Sequence, residues 1–369
     1  MRFAFDEQQE ALRRQARRFC AEHASSAAVR RAMETVDGFV PETWAQLVEL
    51  GWTALLVPEA YGGAGLGAVE LVALFEETGA SLLCAPIFST VCLATPALLL
   101  GGDAAQKERW LPAIAEGRAR ATLAFADTAE TRARRDGDSV ILDGDKTCVV
   151  DGHASDLIVV SAREEAGSGL YLVPATAPGV TRRARPTLDA TRKLADVALR
   201  GVRLPVAARL GGDGAALLER VLDRARIALA AEQLGGAQRC LDMSVDYAKT
   251  RVQFGRPIGS FQAVKHRCAD MLVSVESARS AVYWAAWCAA VDDAELPLAA
   301  GLAHAVATET YLLTAGDTIQ VHGGIGFTWE HDAHLHLKRA RGAATLLGDA
   351  TAERARLARA ILPPGPSGS

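Results

Sequence analysis

Along residues 6 to about 118, apolar positions recur every three or four residues in short runs such as FDEQQEALRRQARRFCAEH and ETWAQLVELGW, punctuated by the turn-rich VPEAYGGAGLG. That spacing gathers apolar side chains on one face of a helix, so residues 1–118 read as an N-terminal α-helical domain. Over 119–208 the pattern changes to short β-prone runs divided by turn residues: ATLAFAD, SVILDGDKTCVV, LIVVSAR, GLYLV and DVALRGVRL. Runs of that length and spacing predict a small antiparallel β domain. After the glycine-rich LGGDGA the helical period returns across 209–362, with long segments around 213–250, 259–291 and 297–321. Long helices on short connections predict a four-helix bundle, and the whole chain is expected to be of the α+β class. The final stretch, 363–369, is PPGPSGS, which is too polar to pack and is expected to fray.

Composition narrows the function classes. A chain of 369 residues that is 50% hydrophobic is neither disordered nor collagen-like, and at ~150 residues per domain it holds two or three folding units. Forty Lys and Arg against 44 Asp and Glu leave a net charge of −4 with no basic block, so there is no electrostatic reason to bind nucleic acid. No run reaches the ~18 apolar residues of a membrane span, and the charged start MRFAFDEQQEALRR is unlike a signal peptide; a cytoplasmic protein is expected. The seven cysteines are scattered without a CxxC pair, which favours reduced, mostly buried thiols over a disulfide framework or a zinc site.

Chemistry enters with three motifs. Arg251-Val-Gln253-Phe254-Gly255-Arg-Pro-Ile258, Phe261-Gln262-Ala-Val-Lys265 and Ala269-Asp270-Met271 follow one another at fixed spacing. Together they resemble the acyl-CoA dehydrogenase signature RxxFGxPIxxFQxxK…ADM. Pro58-Glu59-Ala-Tyr61-Gly62-Gly63 and Gln320-Val-His322-Gly323-Gly324-Ile-Gly326-Phe327 agree with the same family, and the order of helical, β and helical segments matches its fold. Within the family the chain looks most like the actinobacterial branch acting on bulky acyl-CoA esters such as sterol side chains.

The resemblance implies FAD as cofactor, an acyl-CoA as substrate and α,β-dehydrogenation as the reaction. It implies an electron-transfer flavoprotein or a similar acceptor, and a homo- or hetero-oligomer, dimeric or tetrameric. Arg251, Gln253, Phe254, Phe261, Gln262, Gln320, Gly323 and Gly324 are the cofactor positions it implies, lent to the flavin of a neighbouring subunit. Physically, a guanidinium fork suits a phosphate oxygen, and glycines let backbone approach a nucleotide. Each motif taken singly also reads as a tight turn with a solvated Arg. On the substrate side the family's DxxR element corresponds to Asp223 and Arg226, one helical turn apart, for which an intrahelical ion pair is the alternative. Arg359 falls where the family often has an Arg near the CoA phosphate.

The chain departs from the family where the proton-abstracting carboxylate belongs. Twenty-four residues after Gly323, that position is Leu347, followed by Gly348 and Asp349. Leucine cannot take a proton, although its backbone N–H still donates, so Leu347 and Gly348 remain thioester-binding candidates. The family's other base position corresponds to Ala225. Glu232, seven residues on, shares that helix face about 10 Å further along and interrupts an apolar run. Burial there demands pairing or protonation, which makes Glu232 the first candidate base, with pairing to an Arg or a buried amide as the alternative. Asp349 is the second.

The family's flavin-binding TEPGxGS-type loop is replaced by Phe125-Ala126-Asp127-Thr128-Ala129-Glu130, without Pro or Gly, and its WIT-type strand by Cys148-Val149-Val150. The chain thus keeps what it lends to a neighbour's flavin and lacks much of what would hold its own. Two readings follow: a self-sufficient dehydrogenase with Glu232 as base, or a half-site subunit that completes a partner's FAD site. In Glu330-His331-Asp332-Ala-His334-Leu-His336 the histidine spacing does not suit a metal. Hydrogen-bonding roles are expected for His322 and His331, and a solvated face for His334 and His336; Tyr283, Trp284 and Trp287 are expected in the bundle core.

Overall fold

The computed structural model describes residues 5–362; the tail expected to fray lies outside them. In chain order come α1 (Glu7–His23), α2 (Ser26–Glu34), α3 (Pro41–Glu49) and α4 (Ala68–Ala80), a π-helical stretch (Phe88–Ala94), α5 (Thr95–Gly101) and α6 (Ala104–Ala115). Seven strands follow: β1 (Ala121–Ala124), β2 (Asp127–Asp136), β3 (Ser139–Val150), β4 (Leu157–Arg163), β5 (Ser168–Pro174), β6 (Val180–Arg185) and β7 (Leu194–Pro205). The chain then forms α7 (Gly214–Thr250), the hairpin strands β8 (Val252–Gln253) and β9 (Arg256–Pro257), α8 (Gln262–Ala290), α9 (Leu296–His322), α10 (Ala333–Ala343) and α11 (Ala350–Ile361). Contacts divide it into two compact units, one of residues 1–29, 68–83 and 226–369, the other of 30–67 and 84–225.

In the first unit, α1 and α4 join the C-terminal helices. Asp6 starts α1 with a reciprocal capping box, its carboxylate accepting from the Gln9 amide at 2.9 Å while the Gln9 side chain accepts from the Asp6 amide. Helix α4 is buried continuously from Leu71 to Gly79, which forces Glu76 and Glu77 inside as well. Glu77 is held by Arg13 at 3.1 Å and Arg17 at 2.8 Å from α1. Glu76 is held by Arg279 of α8 at 3.2 Å, and burial pushes its carboxyl above the ordinary range against the opposing pull of that arginine.

Helices α4 and α7 meet backbone to backbone. A Cβ on Gly235 would overlap the carbonyl oxygen of Glu76, and one on Gly79 would overlap that of Glu232. Glycine is required at this crossing because any side chain would push the helices apart.

The second unit contains the seven-stranded sheet, in the order β1-β4-β2-β3-β7-β6 with β5 also on β4. The expectation of a purely antiparallel domain needs correcting, because β1 pairs parallel with β4 over Ala121–Ala124, and β2 touches β4 in parallel at Arg132. Strand β1 is buried throughout and β4 nearly so, as parallel strands covered on both faces are. Strands β2 and β6 had no counterpart among the expected runs. Both are almost wholly exposed, so neither alternates apolar with polar residues. All seven cysteines are free; five are buried, Cys268 is half-buried and Cys148 is exposed.

The glycines of this fold separate packing from propensity. Gly235→Ala is expected to destabilise the chain by about 2 kcal/mol in urea unfolding, because overpacking at a backbone contact outweighs the gain in helix propensity. Gly316→Ala on α9, where an added Cβ meets nothing within 4 Å, is expected to stabilise by up to about 1 kcal/mol.

Candidate functional site

After α7 the chain turns through β8 and β9 by way of Phe254 and Gly255, both at positive φ, 53° and 76°. A two-residue hairpin turn of that hand favours Asn-Gly, so a phenylalanine there is strained. Phe254 is 91% exposed, edge-on to Phe261 at 6.1 Å, and the Arg256 guanidinium lies 4.2 Å over the Phe261 ring. Arg251, Gln253, Gln262, Gln320, Gly323 and Gly324 are exposed as well, and Phe261 is half-buried. Added Cβ atoms on Gly323 and Gly324 would meet nothing within 4 Å, so open space lies over this turn. A guanidinium, side-chain amides, an aromatic ring and bare backbone beside open space suit a nucleotide diphosphate, and this set fits a flavin nucleotide.

Behind the glycine turn, Tyr247 stacks on His322 at 4.4 Å and His322 lies 4.3 Å from His331. The His322 Nδ1–H donates to the Thr318 carbonyl at 2.8 Å, and His331 Nδ1 accepts from the Ala333 amide at 3.1 Å. His334 and His336, expected on a solvated face, are buried where α10 packs on α9, although two residues apart they project from different sides of the helix. His336 Nδ1 is 2.9 Å from the Tyr311 hydroxyl, and His334 stands edge-on to Trp329. Tyr283, Trp284 and Trp287 are half-buried on α8.

The two candidate bases are both engaged. Glu232 is 6% exposed on α7, and Arg339 of α10 donates to its Oε1 at 2.9 Å. Asp349 is exposed at the start of α11, where its Oδ1 accepts from the Ala352 amide at 2.7 Å and caps the helix. Leu347 is buried, and Gly348 adopts φ +109°, a conformation that favours glycine.

Arg226 is buried with its Nε 3.0 Å from Glu353 Oε1, while Arg356 holds the other carboxylate oxygen at 3.0 Å and reaches the Pro297 carbonyl. Sequence reading missed Glu353, because in ERARLARA it looks like a solvated partner of Arg356. Only the packing of α11 on α9 buries it. His304 lies in the same interior, fully buried with neither ring nitrogen hydrogen-bonded. Asp223 is buried on α7; Arg359 is exposed and donates to the Ala355 carbonyl.

On the sheet, the segment in place of the family's flavin loop passes directly into β2. Lys146, fully buried, sets its Nζ 2.7 Å from Asp127 and 3.0 Å from Ser161, and the Thr131 hydroxyl donates to the same Asp127 oxygen at 2.6 Å. Burial pulls the Lys146 ammonium below its ordinary pKa, and Asp127 opposes that shift. Asp127 is thereby tied into the strand by side chains of this chain. Cys148 is exposed at φ 53° with Val149 and Val150 buried beside it, so neither an aromatic ring nor a hydroxyl stands at this stretch. These residues do not fit the flavin as the C-terminal set does.

Burial holds His304 at a pKa of about 4 and His336 at about 3, both below the ordinary value of 6.5. The unfolded chain therefore binds more protons as pH falls below 6.5, and folding stability, complete above that pH, declines toward pH 4. Each histidine contributes a slope of about 1.4 kcal/mol per pH unit, and His304→Asn is expected to remove one such slope in urea titrations at pH 4.5–6.5. Phe254→Asn is expected to stabilise the chain by about 1 kcal/mol through relief of the turn, measured as a rise in Tm.

Residues 6–118 match the family model for the acyl-CoA dehydrogenase N-terminal domain and residues 212–362 that for the C-terminal domain. The chain is 37% identical over 354 residues to the acyl-CoA dehydrogenase IpdE2 of Mycolicibacterium smegmatis, covering 95% of this chain and 98% of that one. Among solved structures, a chain of the ChsE4-ChsE5 complex from Mycobacterium tuberculosis aligns with a TM-score of 0.92 at 29% identity, over 98% of this chain and 100% of that one. A variant of the Tcur3481-Tcur3483 steroid ACAD aligns at 0.89 and 34% identity, over 96% and 98%. The chain belongs to the acyl-CoA dehydrogenase family, whose members are FAD-dependent oxidoreductases acting on CH–CH bonds.

Proposed function

We propose that this chain is one half of a two-chain acyl-CoA dehydrogenase acting on a bulky, steroid-like acyl-CoA thioester, and that it completes the FAD site of a partner that carries the base. The observation that carries this reading is the buried Glu232–Arg339 pair. The Glu232 Oε1 accepts from the Arg339 guanidinium at 2.9 Å and its side chain is buried, so the carboxylate is engaged inside the helices rather than presented to a substrate. With Leu347 and Ala225 at the two family base positions and Asp349 occupied as a helix cap, no carboxylate of the candidate set is free for the reaction.

The C-terminal set supports the other side of the proposal. Arg251 and Gln262 would bind the flavin's diphosphate and nucleotide parts, and Gly323 and Gly324 would let backbone approach them. Bound FAD supplies the hydride acceptor for the β-carbon. This chain's part is to orient that cofactor and cover it from water, with Phe254, Phe327 at 75% exposure and Trp329 at 64% as the apolar surface that a partner would bury. The names of two structural neighbours join two chains, which favours a hetero-oligomer, and one specifies a steroid substrate. An electron-transfer flavoprotein is the acceptor expected for such an enzyme.

The test is flavin content. Purified alone, the chain is expected to lack the visible flavin spectrum; co-expressed with its partner it should carry about half a flavin per chain. About one flavin per chain, in a homo-oligomer, would overturn the reading. In the assembled enzyme Glu232→Gln is expected to keep turnover within a few-fold, whereas loss of turnover with flavin retained would make Glu232 the base after all.

A further inference from the structure

The residues beside the open space over the glycine turn come from two stretches of chain, Arg251 to Gln262 after α7 and Gln320 to Gly324 at the end of α9. Neither stretch contains what holds it at a fixed distance from the other. Helices α7 and α9 run side by side in one direction, and buried polar contacts mark their register: Gln233 with Thr308 at 3.0 Å, then Ser244 with Thr318 at 3.0 Å. The Thr318 hydroxyl also donates to the Cys240 carbonyl at 2.9 Å. The next rung is a ring pair, Tyr247 stacked on His322 at 4.4 Å with 26° between the planes. It is the last before the two helices end, at Thr250 and His322.

Both rings lead straight into the flavin-facing set. The Tyr247 carbonyl accepts from the Arg251 amide at 2.8 Å, and Gly323 follows His322 directly. His322 cannot shift without moving its neighbours. Its Nδ1–H is committed to the Thr318 carbonyl one turn below, and the His331 ring lies 4.3 Å away. A Cβ added to Gly326 would stand 2.9 Å from the His322 Cβ, so the glycine turn closes onto this residue. Burial, with His331 beside it, lowers the pKa of the imidazole against the opposing pull of the Thr318 carbonyl, so the ring stacks in its neutral form.

We propose that His322 is a positioning residue for the flavin-facing set: its stack on Tyr247 fixes the separation between Arg251 and the Gly323–Gly324 turn, so that both reach one diphosphate-linked nucleotide. A binding constellation must be held to within about 0.5 Å to be productive, and side chains locked by packing and hydrogen bonds are what hold it. The inference rests on the reading that this set faces a flavin nucleotide. It holds whether the neighbouring subunit is a second copy or a different chain.

The experiment strips the assembled enzyme of flavin and titrates FAD back, followed by flavin fluorescence. His322→Ala and Tyr247→Ala are each expected to weaken FAD binding about tenfold, and the double variant no further, because the two rings act as one unit. His322→Phe keeps a ring on Tyr247 without the imidazole nitrogens and should restore affinity to within about threefold of the parent. Ser244→Ala, one turn below, should lower the Tm of the flavin-free assembly and leave FAD binding as in the parent, which separates positioning from stability. Arg251→Ala checks the underlying reading and is expected to weaken FAD binding about tenfold or more. Unchanged FAD binding in Arg251→Ala would overturn that reading and the inference with it. Weakened binding in Arg251→Ala but not in His322→Ala would overturn the inference alone. So would additive losses in the double variant, a His322→Phe variant as weak as His322→Ala, or an equal loss in Ser244→Ala.

Discussion

The crossing of α4 and α7 is the contact on which the first unit depends. Gly79 and Gly235 let the two backbones touch, and that closeness takes away the space in which neighbouring side chains could reach water. Glu76 and Glu232 sit in register with those glycines, so both carboxylates are carried inside with the helices. An isolated charge there would cost several kcal/mol, and each is answered by an arginine from another helix, Arg279 of α8 or Arg339 of α10. The glycine seam therefore determines where two further helices must place their cations. Glu353 repeats the solution with Arg226 and Arg356, tying α11 to α7.

The same economy accounts for the contrast between interior and surface. Inside the first unit the acidic groups considered for chemistry are neutralised or used as caps. At the end of α7 and after α9, by contrast, a guanidinium, amides, glycines and aromatic rings are displayed outward, one of them on a strained turn. Strain and exposed aromatic surface both oppose folding of a lone chain, and they persist where something outside the chain compensates them. On the sheet, Lys146 ties down Asp127 in the stretch where the family's flavin loop would open.

Much of this architecture was legible in the chain. The long helices fall on the segments marked by apolar spacing; α8 buries one side, through Met271, Val275, Ala278 and Val282, whereas α7 is buried all round over 225–237. Strands β3, β4, β5 and β7 coincide with the apolar runs. Strands β2 and β6 escaped because a strand exposed on both sides carries no alternation, and the parallel pairing of β1 with β4 escaped because pairing direction leaves no mark on a short buried run. The burial of His334 and His336 was likewise invisible, as two polar residues at the start of a helix look solvated until another helix covers them.

What the sequence determined by itself is local: helix spans, caps such as Asp6 with Gln9, turn positions, and motifs whose spacing within one stretch identifies the family. The partner of a buried charge is different in kind. Glu232 and Arg339 lie 107 positions apart, and neither local spacing nor composition relates them. Their meeting depends on how α7 and α10 are placed in the packed interior, which no pattern within either helix states. Side-chain reach is a few ångströms, so whether a carboxylate is a base or half of an ion pair is decided by helix placement, and only the tertiary structure fixes that.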